Sequence, residues 1–219
     1  MFAFFADRKD AGERLAQALM RYKGEDVVVL AVPRGGVPVG LAVAKALNAP
    51  LDIVLVRKIG APSQPELAVA AVVDGEHAQT VRNPEVLEAL GVSEDYMKRE
   101  TERQLAEIER RRRVYLGDRA RPRIEGKTAI IVDDGIATGA TIQAALLGVR
   151  LNRPKRLVLA APVAPPDTLE RLRGMADDVV CLETPEMFLA IGQFYRNFDQ
   201  LADDEVTALL GQAMAEPTG

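Results

Sequence analysis

The chain has one cysteine, one histidine and no tryptophan in 219 residues. A lone Cys181 excludes an intrachain disulfide. It lies in the apolar run Val179 to Leu182 with no histidine nearby in sequence, so it reads as a buried thiol rather than a nucleophile. One histidine cannot build a histidine-rich metal cage or, without partners, a triad; His77 follows Asp74-Gly75-Glu76 and reads as a surface turn residue. No apolar run reaches the length that crosses a bilayer. Met1 to Phe5 is apolar but short and soon followed by acids, unlike a secretory signal, so the expectation is a cytoplasmic chain with no membrane partner. Positive charge is not in excess either: 28 Lys and Arg face 32 Asp and Glu, for a net charge of −4 and a pI near 5.3. No general field for nucleic acid follows, and any cationic site has to be local, which suits a small anionic ligand.

What is present points to an α/β chain. The apolar fraction of 48% supplies a sizeable core, and the length makes a single domain over residues 1–219 the default. The most informative stretch is Ile130 to Thr141, I-I-V-D-D-G-I-A-T-G-A-T. Thr128 to Val132 is a short β-branched run of the kind that makes a buried strand. Asp133 and Asp134 follow at once, then a small-residue turn, then a helical stretch from about Ala140 to Leu151. Unpaired amides at a helix N-terminus sit at the positive end of the dipole and bind phosphate well. Gly139 and Ala140 let a phosphate approach the backbone, and the Thr138 and Thr141 hydroxyls can donate to it. The two acids would repel that phosphate, but they can hold what is attached to it: two vicinal ribose hydroxyls, or a divalent cation.

This stretch resembles the PRPP-binding motif of the type I phosphoribosyltransferases. The resemblance implies that Asp133 and Asp134 bind the ribose 2′- and 3′-hydroxyls and hold a metal, directly or through water. It implies that Ala137, Thr138, Gly139, Ala140 and Thr141 wrap the 5′-phosphate. Upstream, the strand Val27 to Val32 feeds Pro33-Arg34-Gly35-Gly36 and a helix over Val39 to Leu47. In the resemblance this is the pyrophosphate loop, with Arg34 and the Gly35 and Gly36 amides as ligands; as residues alone it is equally an ordinary turn with an exposed arginine. It is not a P-loop, because Leu41 stands where the lysine belongs. A further strand, Leu51 to Val56, ends in Arg57-Lys58, which resemble the basic pair that serves pyrophosphate and chemistry in the family; a solvated basic turn is the alternative. Residues 58–65, with two prolines and a glycine, read as a mobile loop able to close over the site.

The remaining chain reads as a hairpin (Leu67 to Val73 and Ala78 to Val81), a short helix from Pro84, and a long helix from Ser93 to about Leu116. Residues 84–118 thus look like a helical insertion. Its run Arg110 to Arg113 reads as a solvated face paired with upstream glutamates, rather than a nucleic-acid patch. After the phosphate motif come a strand over Arg156 to Val163, a helix, a strand over Asp178 to Leu182, and a terminal helix from Asp203. Strand–helix alternation implies a mainly parallel sheet flanked by helices. Residues 184–199 hold three of the six phenylalanines plus Tyr195. They can pack the end of the sheet, or form a hood that stacks on a planar acceptor.

The function implied is Mg²⁺-dependent transfer of ribose 5-phosphate from PRPP to a small, nitrogen-type nucleophile, with release of pyrophosphate. A PRPP-binding regulator lacking transferase activity is the alternative. Ala137 stands where the 6-oxopurine enzymes have an aspartate, and Ala140 where they often have lysine, which weakens the case for such an acceptor. A homodimer is compatible with the resemblance.

Overall fold

Three runs in the chain carry apolar residues at nearly every position, the pattern of strands covered on both faces. The computed structural model, which describes residues 3–62, 64–74 and 78–215, places them side by side at the centre of one sheet. In chain order the elements are α1 (Arg8–Ala18), β1 (Val27–Ala31), α2 (Gly36–Leu47), β2 (Leu51–Ile53), β3 (Val56–Ala61), β4 (Gln64–Val73), β5 (Gln79–Arg82), α3 (Pro84–Ala89) and α4 (Glu94–Leu116). Then follow β6 (Thr128–Val132), α5 (Ala140–Leu151), β7 (Arg156–Val163), α6 (Pro166–Arg173), β8 (Asp178–Glu183) and α7 (Asp203–Ala215). The helix starts follow their caps: the Asp7, Asn83 and Ser93 side chains accept from the backbone N–H of Asp10, Val86 and Tyr96.

The main sheet has five strands in the order β2-β1-β6-β7-β8, all parallel. Alternate residues feed two cores. Val27, Val29, Ala31, Ile130 and Val132 face α1, α2, α4 and α7; Val28, Leu30, Ala129, Ile131 and Leu159 face α5 and α6. The strand order reverses between β1 and β6, because one crossover leads to β2 and the other to β7. At such a switch point the helices diverge to opposite faces and leave a crevice beyond the carboxyl ends of the two strands. The Arg34 loop and the acid pair both start there.

The second sheet departs from expectation. The strand expected over Leu51 to Val56 ends at Ile53, and the chain crosses into a separate three-stranded antiparallel sheet, β3-β4-β5, at Val56. Arg57 and Lys58 therefore lie in a strand, not a turn. Most of the segment expected as a loop is paired strand: Val56 to Ala61 pair with Val73 back to Gln64. The pairing shifts register on both sides of Gly60, and a Cβ there would meet the Pro65 carbonyl oxygen at 2.2 Å. The proline and glycine that suggest a loop thus mark a bulge near the hairpin tip.

The long helix is also bound more tightly to the core than its composition suggests. Arg112, expected in solvent, is buried. Its Nη2 donates to both Asp52 carboxylate oxygens at 3.0 and 2.7 Å, and its Nη1 to Asp74 Oδ2 at 3.0 Å. Asp74 Oδ1 accepts from Arg121 at 2.9 Å, and Arg121 also pairs with Glu109. Glu109 thus pairs with Arg121 and not with Arg113, while Glu107 pairs with Arg111 as the spacing implies and with Arg110 as well. Cys181 is half-buried against the α5–α6 core rather than fully inside it, and desolvation pushes its pKa up to about 11. His77 lies outside the described residues.

Candidate active site

The crevice at the switch point has two walls, both delivered by strands. From β1 come Val32, Pro33, Arg34 and the first turn of α2; from β6 come Asp133, Asp134 and the loop to Gly139. The peptide bond between Pro33 and Arg34 is cis. The two walls touch. A Cβ on Gly36 would lie 2.6 Å from the Val132 carbonyl oxygen and 3.1 Å from Asp133 Cα, and one on Gly35 would lie 2.0 Å from Asp134 Oδ2. The closest of these contacts are shorter than any side chain tolerates, so the glycine pair is required by the approach of the loop to the acids. The Gly36 amide is already occupied, donating to the Val32 carbonyl at 3.0 Å.

The two acids sit differently. Asp133 is partly exposed, and its Oδ1 accepts from the Asp134 backbone N–H at 2.9 Å. Its surroundings raise its pKa well above the usual carboxylate range, mainly by desolvation and then by the neighbouring Asp134 charge. Asp134 is buried and shifted upward by the same desolvation, which Arg8 opposes. Arg8 Nε donates to Asp134 Oδ2 at 2.7 Å, while its Nη1 donates to the Asp199 carbonyl and its guanidinium lies 3.8 Å over the Phe198 ring. Tyr195 Oη donates to the Asp134 carbonyl at 2.5 Å. Neither Arg8 nor Tyr195 stands out in the sequence as a partner of the acids; a charge on a first helix and a hydroxyl in an aromatic tail give no local signal of where they will fold.

The aromatic tail resolves in favour of packing for its central residues. Phe194 and Tyr195 are buried with Phe5, Ala11 and Val163, and Phe4 stacks on Phe194 with ring centroids 5.5 Å apart. They are not free to stack on a ligand. Met187 and Leu189, in the same segment, stay exposed.

The small-residue loop keeps the geometry expected of it. Gly139 adopts φ +80° as the residue before α5, a conformation glycine takes without strain, and a Cβ there would meet Thr168 Cγ2 at 2.8 Å. The loop is tethered from behind by α6: Thr168 Oγ1 donates to the Ala137 carbonyl at 2.9 Å and Arg171 Nη2 to the Thr138 carbonyl at 3.3 Å. In a trans peptide the C=O and N–H point in opposite directions. The Thr138 and Gly139 amides are therefore turned away from α6. Ala137, Thr138, Ala140 and Thr141 are exposed.

The basic residues border the same space without forming a side-by-side pair. Successive strand residues alternate in direction; Arg57 receives support from α4, donating from Nε to Gln104 Oε1 at 3.1 Å, while Lys58 is exposed. Both border a groove of about 1070 Å³ that also takes in Ala140 and Thr141. Arg34, Arg57 and Thr141 share a smaller cavity of about 130 Å³, with Arg111 and Tyr115 of α4 on its far side. Arg34, Arg57, Lys58, Ala140 and Thr141 thus border these two spaces, Asp133 and Asp134 stand against the glycines of the facing loop, and α4 joins the wall of the smaller cavity.

A family model described as phosphoribosyl transferase domain matches residues 6–199. The chain belongs to this family. A protein named "Putative phosphoribosyl transferase" in two strains of Mycobacterium tuberculosis is 49% identical over 209 residues, covering 95% of this chain and 47% of the relative. The chain therefore spans about half the length of the curated relatives it matches. The crystal structure of TT1426 from Thermus thermophilus is 42% identical and superposes with a TM-score of 0.84, covering 97% of this chain and 99% of that one. The phosphoribosyl transferase fold accounts for the parallel sheet, the switch-point crevice and the two loops that flank it. Among the described residues, no helix is long and apolar enough to cross a membrane.

Proposed function

We propose that this phosphoribosyl transferase domain binds PRPP in the switch-point crevice and transfers its ribose 5-phosphate to a small nitrogen nucleophile. The single observation that carries the reading is the junction at Gly35 and Asp134, where the arginine-bearing loop of β1 closes on the acid pair of β6 beside the amides that open α5. The crevice offers amides and threonine hydroxyls to a phosphate, carboxylate to sugar hydroxyls, and guanidinium groups to a second, more highly charged phosphate. PRPP has those three parts.

In this reading the Thr138 and Gly139 amides, with Ala137, Ala140 and Thr141 around them, hold the 5′-phosphate. Asp133 accepts from the ribose hydroxyls, and Asp134, locked by Arg8, sets the position of the pyrophosphate loop. At C1 the bond to the pyrophosphate oxygen breaks and the leaving group takes the electron pair, while the nucleophile's lone pair makes the new bond. Arg34, Arg57 and Lys58 offset the charge that develops on the pyrophosphate. The family relationship also implies Mg²⁺. Among the described residues no group of three or more His, Cys, Asp or Glu side chains converges on one point. Asp133 with substrate oxygens and water is nonetheless a donor set that suits Mg²⁺, which is commonly held by one or two carboxylates and substrate phosphates. Bound there, the ion would add positive charge at the leaving pyrophosphate.

The test is to incubate the full chain with PRPP, Mg²⁺ and a panel of bases and amines while following pyrophosphate. Acceptor-dependent release, abolished by EDTA and by Asp133→Ala, is the expected result. Binding without release for any acceptor would assign a regulator, and no PRPP binding at all would remove the reading.

A further inference from the structure

Helix α4 turns one face to the crevice, and that face is not apolar. Gln104 orients Arg57, Arg112 is clamped by Asp52 and Asp74, and Arg111 and Tyr115 line the cavity of about 130 Å³ opposite Arg34. Three guanidinium groups, those of Arg34, Arg57 and Arg111, surround this small space, and no carboxylate lines it among the described residues. A second pocket of about 200 Å³ shares Arg34, Arg111 and Tyr115 and adds Arg110 and Asp203. Two carboxylates stand nearby without filling the first cavity. Glu107 accepts from Arg111 Nε at 2.8 Å, and Asp203 accepts from Tyr115 Oη at 2.7 Å while lying 3.8 Å from Arg34. Glu107 and Asp203 offset part of this charge from outside, and the guanidinium donors that face the cavity itself suit an anion. Thr141, in the first turn of α5, forms part of the same wall, so the cavity adjoins the proposed 5′-phosphate position.

We propose that helix α4 is a wall of the pyrophosphate subsite and that Arg111 donates directly to the pyrophosphate group of PRPP. The inference rests on the PRPP reading above and extends it to a segment that sequence alone sets apart as an insertion. The buried Arg112 clamp is what makes the role physical: it fixes the helix against the middle of β2 and the end of β4, so that the neighbouring Arg111 side chain is held at the cavity it shares with Arg34 and Arg57. The bond to Glu107 holds the plane of the Arg111 guanidinium in the same way.

Calorimetric titration of the full chain in Mg²⁺ with three probes, PRPP, inorganic pyrophosphate and ribose 5-phosphate, tests this. Arg111→Gln is expected to weaken PRPP and pyrophosphate by about 10- to 100-fold, the scale of one charge-assisted hydrogen bond, and to leave ribose 5-phosphate within about twofold. Arg113→Gln, on an exposed position of the same helix, is expected to change none of the three. Arg111→Lys keeps the charge and should recover part of the loss; it also serves if the glutamine variant fails to fold, as circular dichroism would reveal. Pyrophosphate binding by Arg111→Gln equal to that of the parent would overturn the proposal, as would an equal loss for ribose 5-phosphate, which marks a merely structural role. A parent chain that binds neither PRPP nor ribose 5-phosphate would instead sink the reading of the whole crevice.

Discussion

Arg8 Nε stands 2.7 Å from Asp134 Oδ2, and the two residues are 126 positions apart in the chain. In the proposed reading, the pair makes Asp134 a strut and leaves Asp133 to serve as the ligand. Asp134 is enclosed by Arg8, the Tyr195 hydroxyl and the Gly35 backbone, whereas Asp133 keeps part of its surface open. Both side chains of the ion pair are largely buried, at 13% and 9% exposure, so the pairing counts for more than a surface contact would.

Removing that pairing should expose the cost of a buried carboxylate. Arg8→Gln is expected to lower stability by about 2–4 kcal/mol, because Asp134 is then buried without a counter-ion and is either charged and unpaired or protonated at a cost. Arg8→Gln with Asp134→Asn should regain a large part of the loss. Urea unfolding of the parent, both single variants and the double variant measures the coupling; additive losses would show that the two side chains do not depend on each other.

Asp133 pulls function and stability in opposite directions. Its charged form is disfavoured by burial and by Asp134, so an amide should fit more easily. Asp133→Asn preserves the acceptor for the Asp134 backbone N–H and is expected to raise Tm by about 2–4 °C, the scale of 1 kcal/mol in a domain of this size. Ribose 5-phosphate binding should fall sharply in the same variant. A melt paired with calorimetry checks both halves, and a lower Tm would contradict the first.

Thr168 touches no proposed ligand, yet it should matter to one. Its hydroxyl holds the Ala137 carbonyl and so helps aim the amides of the phosphate loop. Thr168→Val is expected to weaken ribose 5-phosphate binding by about 3- to 10-fold, in line with the net worth of one hydrogen bond. Pyrophosphate binding should stay unchanged, and an equal loss for both ligands would point to general loosening.

Arg112 should be among the most sensitive positions in the chain. Arg112→Met leaves Asp52 and Asp74 without their shared guanidinium and is expected to cost about 3–5 kcal/mol. Adding Asp52→Asn should return part of it. Urea unfolding gives the sizes, and hydrogen exchange should show α4 opening before the parallel sheet does.

The parts legible in the sequence are those whose physics is local. The run Thr128 to Val132, the acid pair and the start of α5 at Ala140 follow from strand patterning and helix-terminus chemistry within a dozen residues, and the structure places them at those positions. The starts of α3 at Pro84 and of α4 after Ser93 are equally local. The strand pairing of Lys58 to Ala61 is not legible, because a glycine and two nearby prolines describe a bulged strand end as well as they describe a loop; only the partner strand distinguishes the two. Arg112 misleads for a related reason. One arginine in a run of four is buried because two aspartates from outside the helix converge on it.

The sequence by itself determined the α/β class, the order of the main strands along the chain and the place of the acid pair and small-residue turn between β6 and α5, because alternation, capping and small-residue turns act between near neighbours. Only the tertiary structure decided that Arg8 serves Asp134, that Gly35 and Gly36 are small because the acids press on them, and that α4 lines the crevice. Those relations join residues tens to more than a hundred positions apart. Their free energy comes from removing charges and backbone from water together, which no single segment can do before the chain has folded.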